Sequence, residues 1–314
     1  MIDIRYHFIS LMAVFLALAL GIVIGSSMAP STSSKLVDAV KHQNERVDAV
    51  LAEYDRDHAV LGRLEQALST IIPPLMQGRL DGHGVAIIQT GDQPESAKAA
   101  ADAVVAAGGT VLSTTILTPA FDELSDEDVN QIRAEMPEQP SSDDGDIDLI
   151  RPLAAALRQG APDGAQTDTY LSVLRRERLI TMAGDYTRPV TLVVIVGGAR
   201  VDTDLSPERM ANRETTLINL LTGNGSHMTV VGGEAQGVVN SSIATFRNAG
   251  IATVDCLDRS IGKLDLVYAL GGDRANYGVR TTADRLLPSS VEAGLTVVHV
   301  HSSDASATAA SSAR

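Results

Sequence analysis

Between Phe8 and Gly25 the chain reads FISLMAVFLALALGIVIG, eighteen residues without a charged side chain. As a helix rising about 1.5 Å per residue, that run is about 27 Å long, just enough to cross a bilayer core. A cleavable secretion signal needs a shorter apolar run and a small-x-small site. The nearest such site, Ser27-Met28-Ala29, is followed by Pro30, a poor position for cleavage. The expectation is therefore an uncleaved tail and anchor over residues 1–28. Within it Ala13, Ala17, Gly21 and Gly25 recur every fourth residue, which would line one helix face with small side chains and allow close helix packing. The competing reading is that Ala and Gly are simply common in membrane helices. The flanks do not follow the positive-inside rule, since Arg5 stands before the segment and Lys35, Lys41 and Arg46 after it. The short tail ahead of a signal-like run still predicts a cytoplasmic N-terminus, with everything after Met28 translocated.

A break at Pro30-Ser31-Thr32-Ser33-Ser34 precedes a second pattern. Val40, Val47, Tyr54, Leu61 and Leu68 recur at a seven-residue step, accompanied by Leu36, Val50, Leu64 and Ile71. Gln43 and Asp57 interrupt the second seam, as polar residues do where register or oligomer state is fixed at a cost in stability. This predicts a coiled-coil neck over 29–74, ended by Pro73-Pro74 and joining a homo-oligomer. The alternative is a long amphipathic helix packed on its own domain.

From Gly84 onward the seven-residue pattern gives way to short apolar strands. Short apolar runs end in glycine: Val85–Ile88, Thr191–Val196 before Gly197-Gly198, Met228–Val231 before Gly232-Gly233, and Leu264–Leu270 before Gly271-Gly272. Continuous Val/Ile/Leu runs are the mark of strands buried on both faces of a parallel sheet. Helical patterns lie between them at Glu95–Ala107, Pro207–Leu221 and Ser241–Ala249, the last followed by Gly250. Alternating strands and helices predict an α/β fold, a Rossmann-like or flavodoxin-like parallel-sheet domain over 75–301. The acidic, Pro- and Ser-rich stretch Glu135–Asp148 is expected to be a surface loop or linker between two halves. Thr296–His301 is expected as the last strand, and the Ser/Ala/Thr stretch 302–314 as a disordered tail.

Composition narrows the function. A formal charge of −14, from 39 Asp and Glu against 25 Lys and Arg, opposes nucleic-acid binding. Six Tyr, four Phe and no Trp are too few for the aromatic girdles of an outer-membrane barrel. The single cysteine, Cys256, excludes an intramolecular disulfide framework and any multi-cysteine metal site.

The loops carry no G-x-G-x-x-G; the nearest run, Gly232-Gly233-Glu234-Ala235-Gln236-Gly237, places an acid where a phosphate needs open backbone. Gly262-Lys263-Leu264 is not a P-loop, and neither G-x-S-x-G nor H-E-x-x-H occurs. No catalytic residues are assigned, no cofactor beyond copper is expected, and the chain is read as non-enzymatic. For metal, His299 and His301 lie two apart on an expected strand and so share a face, and Cys256 ends the run Ile251–Val254. Two imidazoles do not complete a site, and a lone cysteine there is usually a small buried apolar residue. His227, Met228 and Met210 are softer candidate ligands with nothing to show that they converge.

The opening Ile2–Leu11 block with Ala13–Ser26, the neck, and Leu264–Leu270 followed by Tyr277-Gly278-Val279 and Thr282–Pro288 resemble the MctB family of mycobacterial copper-transport proteins. The resemblance implies copper transport or tolerance at the cell envelope. It also implies a second role, in which a one-span protein binds a partner in envelope assembly or cell division through its neck and α/β domain. Copper and the envelope partner come from this resemblance, and no ligand set can be carried over from it. A third reading, an anchored enzyme binding a nucleotide or sugar at the Gly232-Gly233 or Gly271-Gly272 loops, lacks a chemical motif.

Overall fold

The computed structural model describes residues 4–135, 145–198, 207–223 and 226–293. The chain divides into two compact units, Met1–Leu64 and Glu65–Arg314.

The first unit is helical. Helix α1 covers Ile4–Met76 without interruption, so the break expected at Pro30–Ser34 does not form, and Pro73-Pro74 lie inside the last turns instead of ending them. Each proline removes one N–H from the backbone ladder, and at Pro73-Pro74 the burial of Ile72 and Met76 on either side holds the last turns in place. Phe8–Gly25 is the one stretch among the described residues long and apolar enough to cross a membrane, with a mean hydropathy of 2.7 and none of it buried.

The second unit contains the last turns of α1 and an α/β domain. Its strands are β1 (Gly84–Gln89), β2 (Thr110–Leu117), β3 (Ile180–Gly184), β4 (Leu192–Val196), β5 (Thr229–Gly233), β6 (Ala252–Val254) and β7 (Asn276–Tyr277). They form one seven-stranded sheet in the order β3-β2-β1-β4-β5-β6-β7. Only the edge strand β3 is antiparallel, paired with β2. Taken alone, the six parallel strands run second-first-third-fourth-fifth-sixth, the flavodoxin-like order, which reverses direction between β1 and β4. Among the described strands the sheet is open. Strands from both sides of the acidic stretch join it, and of that stretch 136–144 lies outside the described residues.

The helices are α2 (Pro94–Ala106), α3 (Pro119–Asp122), α4 (Asp126–Glu135), α5 (Gly145–Gln159), α6 (Gln166–Arg176), α7 (Pro207–Thr222), α8 (Ile243–Asn248) and α9 (Ser260–Leu270). Alternate residues of each strand feed two cores. Ile88, Val193, Ile195 and Val230 pack with α5, α6, α7 and α8 on one face. Val85, Ile87, Val194 and Val231 pack with Ile72 and Met76 of α1, α2 and α9 on the other. Helix α5 takes over the end of the expected acidic loop, because Asp148 is buried and paired with Arg133.

One expected strand is a helix. Leu264–Leu270 forms the body of α9, buried along Leu264, Asp265, Leu266, Val267, Tyr268, Ala269 and Leu270. An apolar run buried on all sides shows no amphipathic period, so a core helix and a two-face-buried strand read alike. The Gly271-Gly272 loop accordingly follows a helix, away from the carboxyl ends of the strands. Glu65 of α1 accepts the Ser260 N–H at 2.7 Å and so satisfies one of the unpaired amides at the start of α9.

Candidate functional site

In doubly wound sheets ligands bind beyond the carboxyl ends of the strands, where the strand order reverses. Here that point lies between the ends of β1 and β4, with Gln89-Thr90-Gly91 on one side and Val196-Gly197-Gly198 on the other. The two loops touch: a Cβ on Gly91 would run into the Gly198 carbonyl, and Gly198 itself sits at φ +100°, a conformation that favours glycine. The two loop backbones are thus in direct contact where the strand order reverses.

Below it lies a network of polar side chains. The Thr90 and Ser242 hydroxyls donate to Glu214 Oε1 at 2.7 and 2.9 Å. Ser242 Oγ also accepts the Gly198 N–H at 3.0 Å, and the Ser242 N–H donates to Glu234 Oε2 at 3.0 Å. Ser241 donates its hydroxyl to Glu234, and Arg280 reaches the same carboxylate at 2.8 Å. Arg280 is in turn held by its N–H to Asp255 at 3.1 Å, beside the Val279 N–H to Asp255 at 2.8 Å. Next to Glu214, Arg213 forms a buried ion pair with Asp122. Burial pushes the Glu214 carboxyl up to about 7, the nearby Glu234 adds to that, and the two hydroxyls and Arg213 oppose it. Glu234 is raised by burial against the pull of Ser241, Ser242 and Arg280.

The chemistry of this arrangement is that of self-neutralisation. Glu234, which directly follows the glycines of β5, supplies the negative charge that a bound phosphate would otherwise bring. It takes up the Ser242 N–H and the Arg280 guanidinium, two donors an anion would use. The acid in Gly232-Gly233-Glu234 was visible in the sequence as an obstacle to phosphate. Arg280, which pairs with it, and Glu214 and Asp255, which connect to it through Ser242 and Arg280, come from separate elements and carry no signal in the sequence.

The residues singled out from sequence do not converge. His299 and His301 lie outside the described residues. Cys256 is fully buried, and burial, with Asp265 and Asp255 adding to it, pushes its thiol upward, away from the thiolate that binds soft metals. Met210 is buried on α7, whereas Met228 lies before β5 and His227 is exposed. Among the described residues no group of three or more His, Cys, Asp or Glu side chains is arranged to hold a metal ion. Ala13, Ala17, Gly21 and Gly25 share the exposed apolar segment, and no side chain lies near either glycine.

These features define an α/β protein with a membrane-length apolar segment in its N-terminal helix and a doubly wound domain whose switch point is flanked by a buried network of its own polar side chains. The chain belongs to the MctB family: the family model described as "Copper transport outer membrane protein, MctB" matches residues 1–288. The protein named "Copper transporter MctB" of Mycobacterium tuberculosis is 28% identical over 306 residues, covering 88% of this chain and 96% of that one. The protein of the same name from Mycobacterium leprae is 28% identical over 309 residues, 89% of this chain and 96% of its own length.

Proposed function

We propose that this chain is a membrane-anchored copper-transport or copper-homeostasis protein of the cell envelope that does not act as an enzyme. Residues 1–28 form the anchor with the N-terminus in the cytoplasm, 29–74 a neck that joins copies of the chain, and 75–301 an extracytoplasmic α/β domain. The observation that carries the copper role is the family match over residues 1–288, which takes in the apolar segment and the α/β domain. The engagement of the Ser242 N–H and Arg280 by Glu234, donors that an anionic substrate would use, supports the non-enzymatic part of the reading. One helix cannot enclose a pore, so passage of copper needs several copies or another protein. Direct copper contact falls to His299 and His301, with Cys256 the weaker ligand because of its burial.

The full chain in lipid nanodiscs, titrated with Cu(I) and Cu(II) against a competing chelator, tests this. Tight stoichiometric binding that His299→Ala/His301→Ala abolishes and Cys256→Ser leaves in place is the expected result. Weak binding unchanged by every substitution, together with normal copper tolerance in cells lacking the protein, would overturn it. The second reading, a protein that docks a partner in envelope assembly or division, is favoured by the exposed apolar face of α1 and predicts envelope defects without copper dependence.

A further inference from the structure

Between Val40 and Leu64 helix α1 exposes at least half of every large apolar side chain it carries. With Val40 set as position a of a heptad, Val47, Tyr54 and Leu61 are also a, and Val50 and Leu64 are d. The remaining two, Leu51 and Val60, fall on the flanking e and g positions. None falls on b, c or f, where charges such as Lys41, Asp48, Asp55 and Arg56 stand. A stripe confined to these four positions has the geometry of a helix-pairing seam.

We infer that a second copy of this chain docks on this face, as a parallel, in-register, two-stranded coiled coil over residues 40–64. The inference deepens the reading of 29–74 as a neck and is independent of copper. Three observations select the occupant. Each copy carries Phe8–Gly25 at the same end of α1, so two copies anchored in one membrane run parallel. Val40 and Val47, β-branched at a, with Leu64 at d, favour two strands over three. Parallel pairing sets Glu53 at g against His58 at e of the second copy, opposite in charge when the imidazole is protonated. The seam spans about three and a half heptads, within the three to four that pairing needs. Gln43 favours the in-register pairing: there it meets Gln43, whereas a slip of one heptad buries it against Val50; the two Asp57 carboxylates face each other in register and repel, a local cost to the pair.

Cysteine cross-linking of the full chain in native membranes tests the arrangement. The one native cysteine, Cys256, is buried, so wild type sets the background. Val47→Cys and Leu61→Cys are each expected to shift to twice the monomer mass under mild oxidation. Asp48→Cys and Gly62→Cys, at b positions, stay at the wild-type level. Equal cross-linking at a and b positions, or cross-linking at only one of the two a positions as an antiparallel pair gives, would refute the inference. So would a three-chain mass from light scattering of the detergent-solubilised protein. Carbonate extraction of the same membranes separates this from the anchor reading: a cross-linked but extractable chain removes the anchor, and an integral chain without cross-links removes the dimer.

Discussion

Asp265 offers a direct way to measure how the α/β domain holds a buried carboxyl group. It sits in α9 with no exposed surface, and neither carboxylate oxygen has a hydrogen-bond partner. Burial, reinforced by Asp255, pushes its carboxyl up to about 8. In the unfolded chain the group ionises near 3.8, so between those two values the folded state holds a proton that the unfolded state has released. Its contribution to stability is complete below about pH 4, declines as pH rises, and is fully lost by about pH 8. Each pH unit in that window costs about 1.4 kcal/mol, so the loss reaches on the order of 4 kcal/mol at pH 7. Asp265→Asn keeps the shape and the unpaired polar character but does not titrate. The unfolding free energy of the variant minus that of wild type should therefore grow by roughly 1.4 kcal/mol per pH unit between pH 5 and 7. Glu214 titrates in both proteins and cancels in the difference. Denaturant unfolding of the full chain in detergent, followed by tryptophan-free far-UV signal at a series of pH values, gives both curves. A difference that stays flat from pH 5 to 7 would show that Asp265 is not held as a buried neutral acid, and the argument fails.

Three further outcomes are expected. Glu234→Gln leaves Arg280 without its charged partner and should lower stability by about 2 kcal/mol, read as a drop in denaturation midpoint. An unchanged midpoint would mean that the carboxylate does not hold the crevice together. Gly91→Ala forces the β1 and β4 loops apart at the Gly198 carbonyl and should cost roughly 1–3 kcal/mol, with faster amide exchange at Thr90 and Gly198. Cys256 should stay unreactive toward a thiol reagent in the native chain and react only on unfolding, since burial pushes its thiol upward; rapid native labelling would contradict that placement.

The parts of the fold that were legible in the sequence are those where burial and period agree. Val85–Ile88 and Thr191–Val196 lie at the centre of the sheet, where both faces are covered and an apolar run has one meaning. Pro207 and Gly250 mark the start of α7 and the end of α8 by backbone chemistry alone. Leu264–Leu270 failed for a physical reason: enclosed between α2 and the sheet, α9 has no wet face to impose a 3.6-residue period. Strand β2 carries no clear strand signal because it mixes Thr and Ser with its apolar residues, as a strand with half-exposed positions does. In the crevice, Glu234 was legible because it follows the β5 glycines, but Glu214, Asp255 and Arg280 meet it only through the strand order. That assembly is non-local, and a linear pattern does not contain it.

The grip of Glu65 on the Ser260 amide, with Ile72 and Met76 in the core, also decides where this protein can be cut. A soluble fragment begun at Pro73-Pro74, the boundary that composition suggests, would discard the cap of α9 and uncover a strip of the sheet's second core. A piece that keeps both the cap and this strip of core therefore starts ahead of Glu65, and a cut that leaves them whole falls on the N-terminal side of that residue.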